Sequence, residues 1–105
     1  MTHADRATMS RFVFDATQEY KGAMAKFPGN RCNVAALMEE VGELAQALLQ
    51  YEFEPAKYGV TSANIYAEAV QVAAMAMKIA LHGSSEFPSY QFSKAFAPFK
   101  PTGSS

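Results

Sequence analysis

The chain has 105 residues, half of them apolar, and a formal net charge of −1. That length supports one domain with a modest core, and the apolar content argues against disorder. Near-neutral charge without a Lys/Arg run argues against a duplex nucleic acid partner, while contacts with a single nucleotide stay open.

The lone cysteine, Cys32, has no partner for an internal disulfide, which suits a reducing compartment. No basic-then-apolar leader opens the sequence and no apolar run reaches membrane-spanning length. The expectation is a cytoplasmic protein with no membrane partner.

A first helix is predicted from about Ala4 to Phe27. Met9, Val13, Ala16, Tyr20, Ala23 and Phe27 recur at alternating four- and three-residue steps, which places them on one stripe. Pro28-Gly29-Asn30 breaks that pattern. Asn33 reads as the N-cap of a second helix extending to about Phe53, and Pro55 and Gly59 punctuate the following loop. Thr61 or Ser62 caps a third helix, which Gly83 ends as a left-handed residue.

Beyond Gly83, three prolines (Pro88, Pro98 and Pro101) leave room only for a short helix, Ser89 to Phe96. The aromatics Phe87, Tyr90, Phe92, Phe96 and Phe99 are expected to pack on the bundle or on a neighbouring subunit. The reading is an all-α fold: a helical bundle of three long helices plus a short C-terminal helix or tail, completed by oligomerisation. Residues 1–98 form its single domain and 99–105 a flexible tail.

On a helical wheel, Val34, Leu37, Met38, Val41, Leu44, Ala45 and Leu48 form the main apolar face of the second helix. Beside it runs a stripe of Ala36, Glu40, Glu43 and Ala47, with Glu39 turned further round. The third helix is apolar on all sides except for Glu68, Gln71, Lys78 and the amphipathic Tyr66. Glu68, Gln71, Met75, Lys78 and His82 share one stripe. A helix apolar all round is buried all round, so a second subunit is expected to complete its enclosure.

With the two stripes opposed, Glu40, Glu43 and Glu68 converge and Gln71 lies adjacent. Residues three apart are neighbours on a helix, so each helix offers two oxygen ligands to one cation. An all-oxygen, carboxylate-rich set suits Mg2+, or Mn2+, better than zinc or copper.

These residues carry a family likeness. Glu39-Glu40-Val41-Gly42-Glu43, followed about two dozen residues later by Glu68-Ala69-Val70-Gln71, resembles the paired Glu-Glu-x-x-Glu and Glu-x-x-Asp motifs of the MazG-like all-α nucleoside triphosphate pyrophosphohydrolases. The likeness covers roughly Asn33 to Gly83. It implies a helical dimer or dimer-based tetramer that hydrolyses nucleoside triphosphates, often deoxy or aberrant ones, to the monophosphate and pyrophosphate. By the resemblance Glu40, Glu43 and Glu68 hold Mg2+, and Gln71 stands where the family has its fourth acidic ligand. An amide oxygen coordinates a hard cation more weakly than a carboxylate. Glu39 or Glu43 is the candidate general base, and Lys78, Lys26 and Arg31 are candidates for binding substrate phosphates.

Phe12, Phe14 and Tyr20 are read as packing residues rather than a base pocket, and Met75 and Met77 as filling irregular core space. His82 is expected to meet free carbonyls at its helix end. The competing reading is a helical interaction module that has lost turnover, favoured by Gln71. A di-iron carboxylate bundle ranks last, because neither acidic helix carries a Glu-x-x-His pair.

Overall fold

The computed structural model describes residues 1–86, which form an all-α helical bundle. The readings for Ser89–Phe96, for the aromatics from Phe87 to Phe99 and for the 99–105 tail lie outside the described residues.

The first helix, α1 (His3–Lys26), begins at a reciprocal cap. The Asp5 N–H donates to Thr2 Oγ1 at 3.0 Å, and the Thr2 N–H donates to the Asp5 carboxylate at 3.2 Å. A cap of this kind contributes on the order of 1 kcal/mol to helix stability. The chain turns through Pro28 and Gly29, the latter at φ 89°, where an L side chain would be strained.

The second helix, α2 (Asn33–Phe53), starts one residue differently from the sequence reading. Its N-cap is Cys32, left-handed at φ 56°, with no side-chain cap. Asn33 is instead the first helical residue. It is fully buried, and its Nδ2 donates to the Gly83 carbonyl at 2.8 Å. A long-range partner for the amide thus outweighs the local capping preference.

The loop after α2 contains a further helical turn, α3 (Pro55–Tyr58). Pro55 has the φ a first helical turn needs, and Gly59 closes the turn at φ 63°. The last described helix, α4 (Ser62–His82), has a reciprocal cap between Thr61 and Asn64. Gly83 follows it at φ 72°.

Contacts between elements fix the layout. α4 packs against both α1 and α2, which do not touch each other. Tyr66 meets Asp15 and Lys78 meets Phe27, so α1 runs parallel to α4. Asn33 meets Gly83 and the α2 glutamates meet Glu68, so α2 runs antiparallel. α4 is therefore a floor flanked by two walls, and its nearly all-apolar sequence matches a central position. Among the described apolar residues only Ala16, Val70 and Ala74 are buried.

This openness corrects two packing expectations. The α1 stripe packs only through its middle: Ala16 is buried, while Met9, Val13 and Phe27 are more than half exposed. The Asp15–Tyr66 register explains Met9, because it carries the start of α1 beyond the start of α4, and residues 1–10 are all exposed. Phe14 is also exposed, against the reading of it as a packing residue. On α2 the side turned to α4 combines the acidic stripe with one edge of the main apolar face, Leu37 and Leu44, which are half-buried, while Met38, Val41 and Leu48 are exposed.

A short strap, Ser84–Glu86, then ties the end of α4 to the start of α2. The Ser85 N–H donates to the Asn30 carbonyl at 2.9 Å, and the Cys32 N–H donates to Ser85 Oγ at 2.8 Å. The Val34 and Ala35 N–H groups donate to the two carboxylate oxygens of Glu86 at 2.9 and 3.1 Å. A helix N-terminus leaves such N–H groups unpaired, and its dipole favours the negative charge. The missing local cap on α2 is thus supplied from residue 86.

Candidate metal centre

Each glutamate is placed by helix geometry. Glu40 and Glu43 are three residues apart on the α2 face turned toward α4, and Glu68 sits in the second turn of α4. One carboxylate oxygen from each of Glu40, Glu43 and Glu68 lies within 4.8 Å of the other two. Glu40 and Glu68 are half-buried, while Glu43 is exposed at the rim. One oxygen of Glu40 and one of Glu68 are buried without a hydrogen-bond partner among the described residues. Such orphaned acceptors are costly unless a cation or a donor meets them.

Electrostatics of the cluster point the same way. Burial pushes the Glu40 carboxyl above its ordinary value, and the neighbouring Glu43, Glu68 and Glu39 charges push it further. A divalent cation among these carboxylates would offset their mutual repulsion and lower the Glu40 carboxyl again. The donors fit a hard cation in type. Two oxygens bound to one Mg2+ at about 2.1 Å lie roughly 3.0–4.2 Å apart, so only a small side-chain adjustment separates the observed cluster from a ligating one.

Glu40 also lines a groove of about 720 Å3 between α1 and α2, floored by α4. Gln71, Met75 and Lys78 rise from the floor. Glu19, Gly22, Ala23 and Lys26 form the α1 wall, and Ala35, Ala36 and Glu39 the α2 wall. The polar stripe read along the third helix therefore does face a cleft at Gln71 and Lys78. Glu39, turned off the seam as the wheel has it, is exposed yet still borders the groove.

Lys26 and Arg31 are exposed at the turn end of the groove. Lys78 is not an ordinary solvated charge. It is only 5% exposed, and its ammonium donates to the Phe27 carbonyl at 2.7 Å. There it satisfies an orphan carbonyl at the C-terminus of α1, where the dipole favours a cation. Among the described residues one of its three N–H donors is used, by that bond, and the residue lines the groove.

Several contacts escaped the sequence reading. The Tyr66 hydroxyl donates to Asp15 at 2.7 Å, and the Arg11 Nε donates to the same carboxylate at 3.0 Å. The Tyr66 bond, and then Arg11, hold the Asp15 carboxyl below its ordinary value against the opposing effect of burial. Phe12 packs edge-on against Tyr66, as a packing residue should. His82 meets no carbonyl among the described residues. It shares a hydrogen bond with the Tyr20 hydroxyl, the two rings stacked 5.8 Å apart. The aromatic that borders the groove is Phe27, alongside Met75.

No helix among the described residues is long and apolar enough to cross a membrane. Compared with known proteins, the chain matches no family model, no curated protein and no solved structure.

Proposed function

We infer that the protein is a Mg2+-dependent nucleoside triphosphate pyrophosphohydrolase, with Mn2+ as an alternative ion, producing a nucleoside monophosphate and pyrophosphate. One observation carries this reading. Three converging carboxylates, two with oxygens left unpartnered among the described residues, reach through Glu40 a groove whose far end holds Lys26, Arg31 and Lys78. Along α4, Gln71 and Lys78 are separated by about 10 Å, so the acidic and basic ends are distinct. A chain of phosphates has the matching character: cation-bridged at one end, met by ammonium and guanidinium groups at the other. The likeness of the two motifs to the MazG-like enzymes adds weight from the sequence side.

In this reading Glu40, Glu43, Glu68 and Gln71 hold the cation, which when bound neutralises phosphate charge and acidifies a water. Glu43, exposed at the rim of the cluster, or Glu39, on the groove wall, accepts the proton of the attacking water at a carboxylate oxygen. Lys78 orients a phosphate oxygen with the N–H donors not committed to Phe27, and Lys26 and Arg31 close from the turn. The exposed Met9, Val13 and Phe14 of α1 and Leu81 of α4 suit burial in a homodimer or dimer-based tetramer. The same reading places the protein in the cytoplasm.

The test is pyrophosphate release from a panel of ribo- and deoxynucleoside triphosphates with and without Mg2+. Release that needs the ion and disappears in Glu40→Gln, with helicity retained by circular dichroism, is the expected result. No release with any nucleotide, together with no cation binding, would leave an interaction module built on the same bundle.

A further inference from the structure

The outer face of α2 lies on the side away from the groove and carries Met38, Val41, Leu48 and Leu49 at 65%, 41%, 46% and 59% exposure. These residues continue a stripe that starts at Val34. We propose that the chain's own C-terminal segment, residues 87–98, docks along this stripe.

Three observations choose that occupant. First, the segment starts at the right place. Glu86 is fastened to the Val34 and Ala35 N–H groups, and Ser84 Oγ accepts from Val34 as well, so Glu86 itself lies at the beginning of the stripe. Second, the reach is sufficient. Val34 to Leu48 spans about 21 Å along the helix axis; twelve residues cover about 40 Å extended and about 18 Å as helix, so a segment that is extended at least in part covers the stripe. Third, the chemistry is complementary. Residues 87–98 bring Phe87, Tyr90, Phe92 and Phe96 with Lys94 and no acid, whereas the stripe is continued by Glu52, one turn beyond Leu48, and α2 carries no Lys or Arg. Aromatic rings bury large apolar areas, and Lys94 carries the sign opposite to Glu52, whereas a second copy of α2 would bring no cation.

The experiment is isotope-filtered nuclear Overhauser spectroscopy on the full chain, prepared as an equal mixture of labelled and unlabelled protein. Contacts between the Phe92 or Phe96 rings and the Val41 or Leu48 methyls within one labelled chain are expected. Leu48→Asp, a surface change that leaves the α4-facing side of α2 intact, should abolish them and accelerate proteolysis between residues 87 and 98 by tenfold or more. Contacts found only between chains would make a second copy the source of the segment and overturn the proposal. So would the absence of any contact, or equal proteolysis of the two proteins.

Discussion

Removing one charge from the carboxylate cluster should stabilise the metal-free protein and weaken the metal-loaded one. Glu68→Gln is the informative change, because Glu68 is half-buried and one of its oxygens has no partner among the described residues. At the 4.8 Å separation that bounds the cluster, a pair of unit charges repels by about 1 kcal/mol at the dielectric of water and about 3.5 kcal/mol at an effective dielectric near 20. Glu43 is exposed and belongs near the lower figure, whereas Glu40 and Glu68 lie between the two. The two repulsions sum to about 2–4 kcal/mol, and burying the new amide offsets about 1–2 kcal/mol, which leaves a net gain of about 1–2 kcal/mol for the metal-free variant, at roughly 4–8 °C in Tm per kcal/mol for a domain of this size.

A cation at a hundred times its Kd stabilises the wild type by about 2.7 kcal/mol, and Glu68→Gln forfeits much of that gain. Urea denaturation of both proteins, once with chelator and once with saturating Mg2+, should therefore show the order of stability reversing between the two conditions. A variant that is weaker in chelator, or two proteins that gain equally from Mg2+, would refute the argument. In either case the orphaned oxygens would not mark a cation site.

Restoring a carboxylate by Gln71→Asp should tighten Mg2+ and Mn2+ binding by tenfold or more in calorimetry, while lowering metal-free stability through added repulsion. Asn33→Ala removes the buried donor to the Gly83 carbonyl and should cost about 1–3 kcal/mol in chemical denaturation, with amide exchange rising first in the opening turn of α2. Acid should act in two opposite ways. Asp15, lowered chiefly by the Tyr66 hydroxyl, and Glu86, lowered chiefly by the Ser84 hydroxyl, contribute stability that is present above the ordinary carboxylate range and lost as pH falls through their lowered folded values. Glu40, raised by burial and by its acidic neighbours, contributes in the reverse sense: fully below its ordinary value, and lost as pH rises through its raised folded value. Denaturation midpoints of the metal-free protein between about pH 3 and pH 8 should show both limbs. Asp15→Asn should flatten the acidic limb and Glu40→Gln the other.

What the sequence made legible was local. Helix periodicity, Thr61 as a cap, Pro28-Gly29 as a break and Gly83 as a stop each act within a few residues, and α1, α2 and α4 fall within a residue of the predicted spans. The meeting of Glu40, Glu43 and Glu68 was legible for a related reason. Spacing fixes which face of a helix a carboxylate takes, and a helix apolar on every side can occupy only the centre of a small bundle. The contacts that set the rest join residues about 50 apart: Asn33 to Gly83, Glu86 to Val34 and Ala35, Tyr66 to Asp15, Lys78 to Phe27. No period or local signature announces such pairs.

Asn33 shows how the two scales compete. Its capping preference is worth on the order of 1 kcal/mol, and a buried, satisfied amide is worth at least as much, because losing it would also strand the Gly83 carbonyl. The distant partner therefore moves the helix start by one residue and leaves Cys32 in the left-handed conformation. That small shift bears on chemistry. Arg31 and Cys32 edge the groove next to Asn33, so the bond that displaced the local cap also fixes the basic end of the cleft in position opposite its carboxylates.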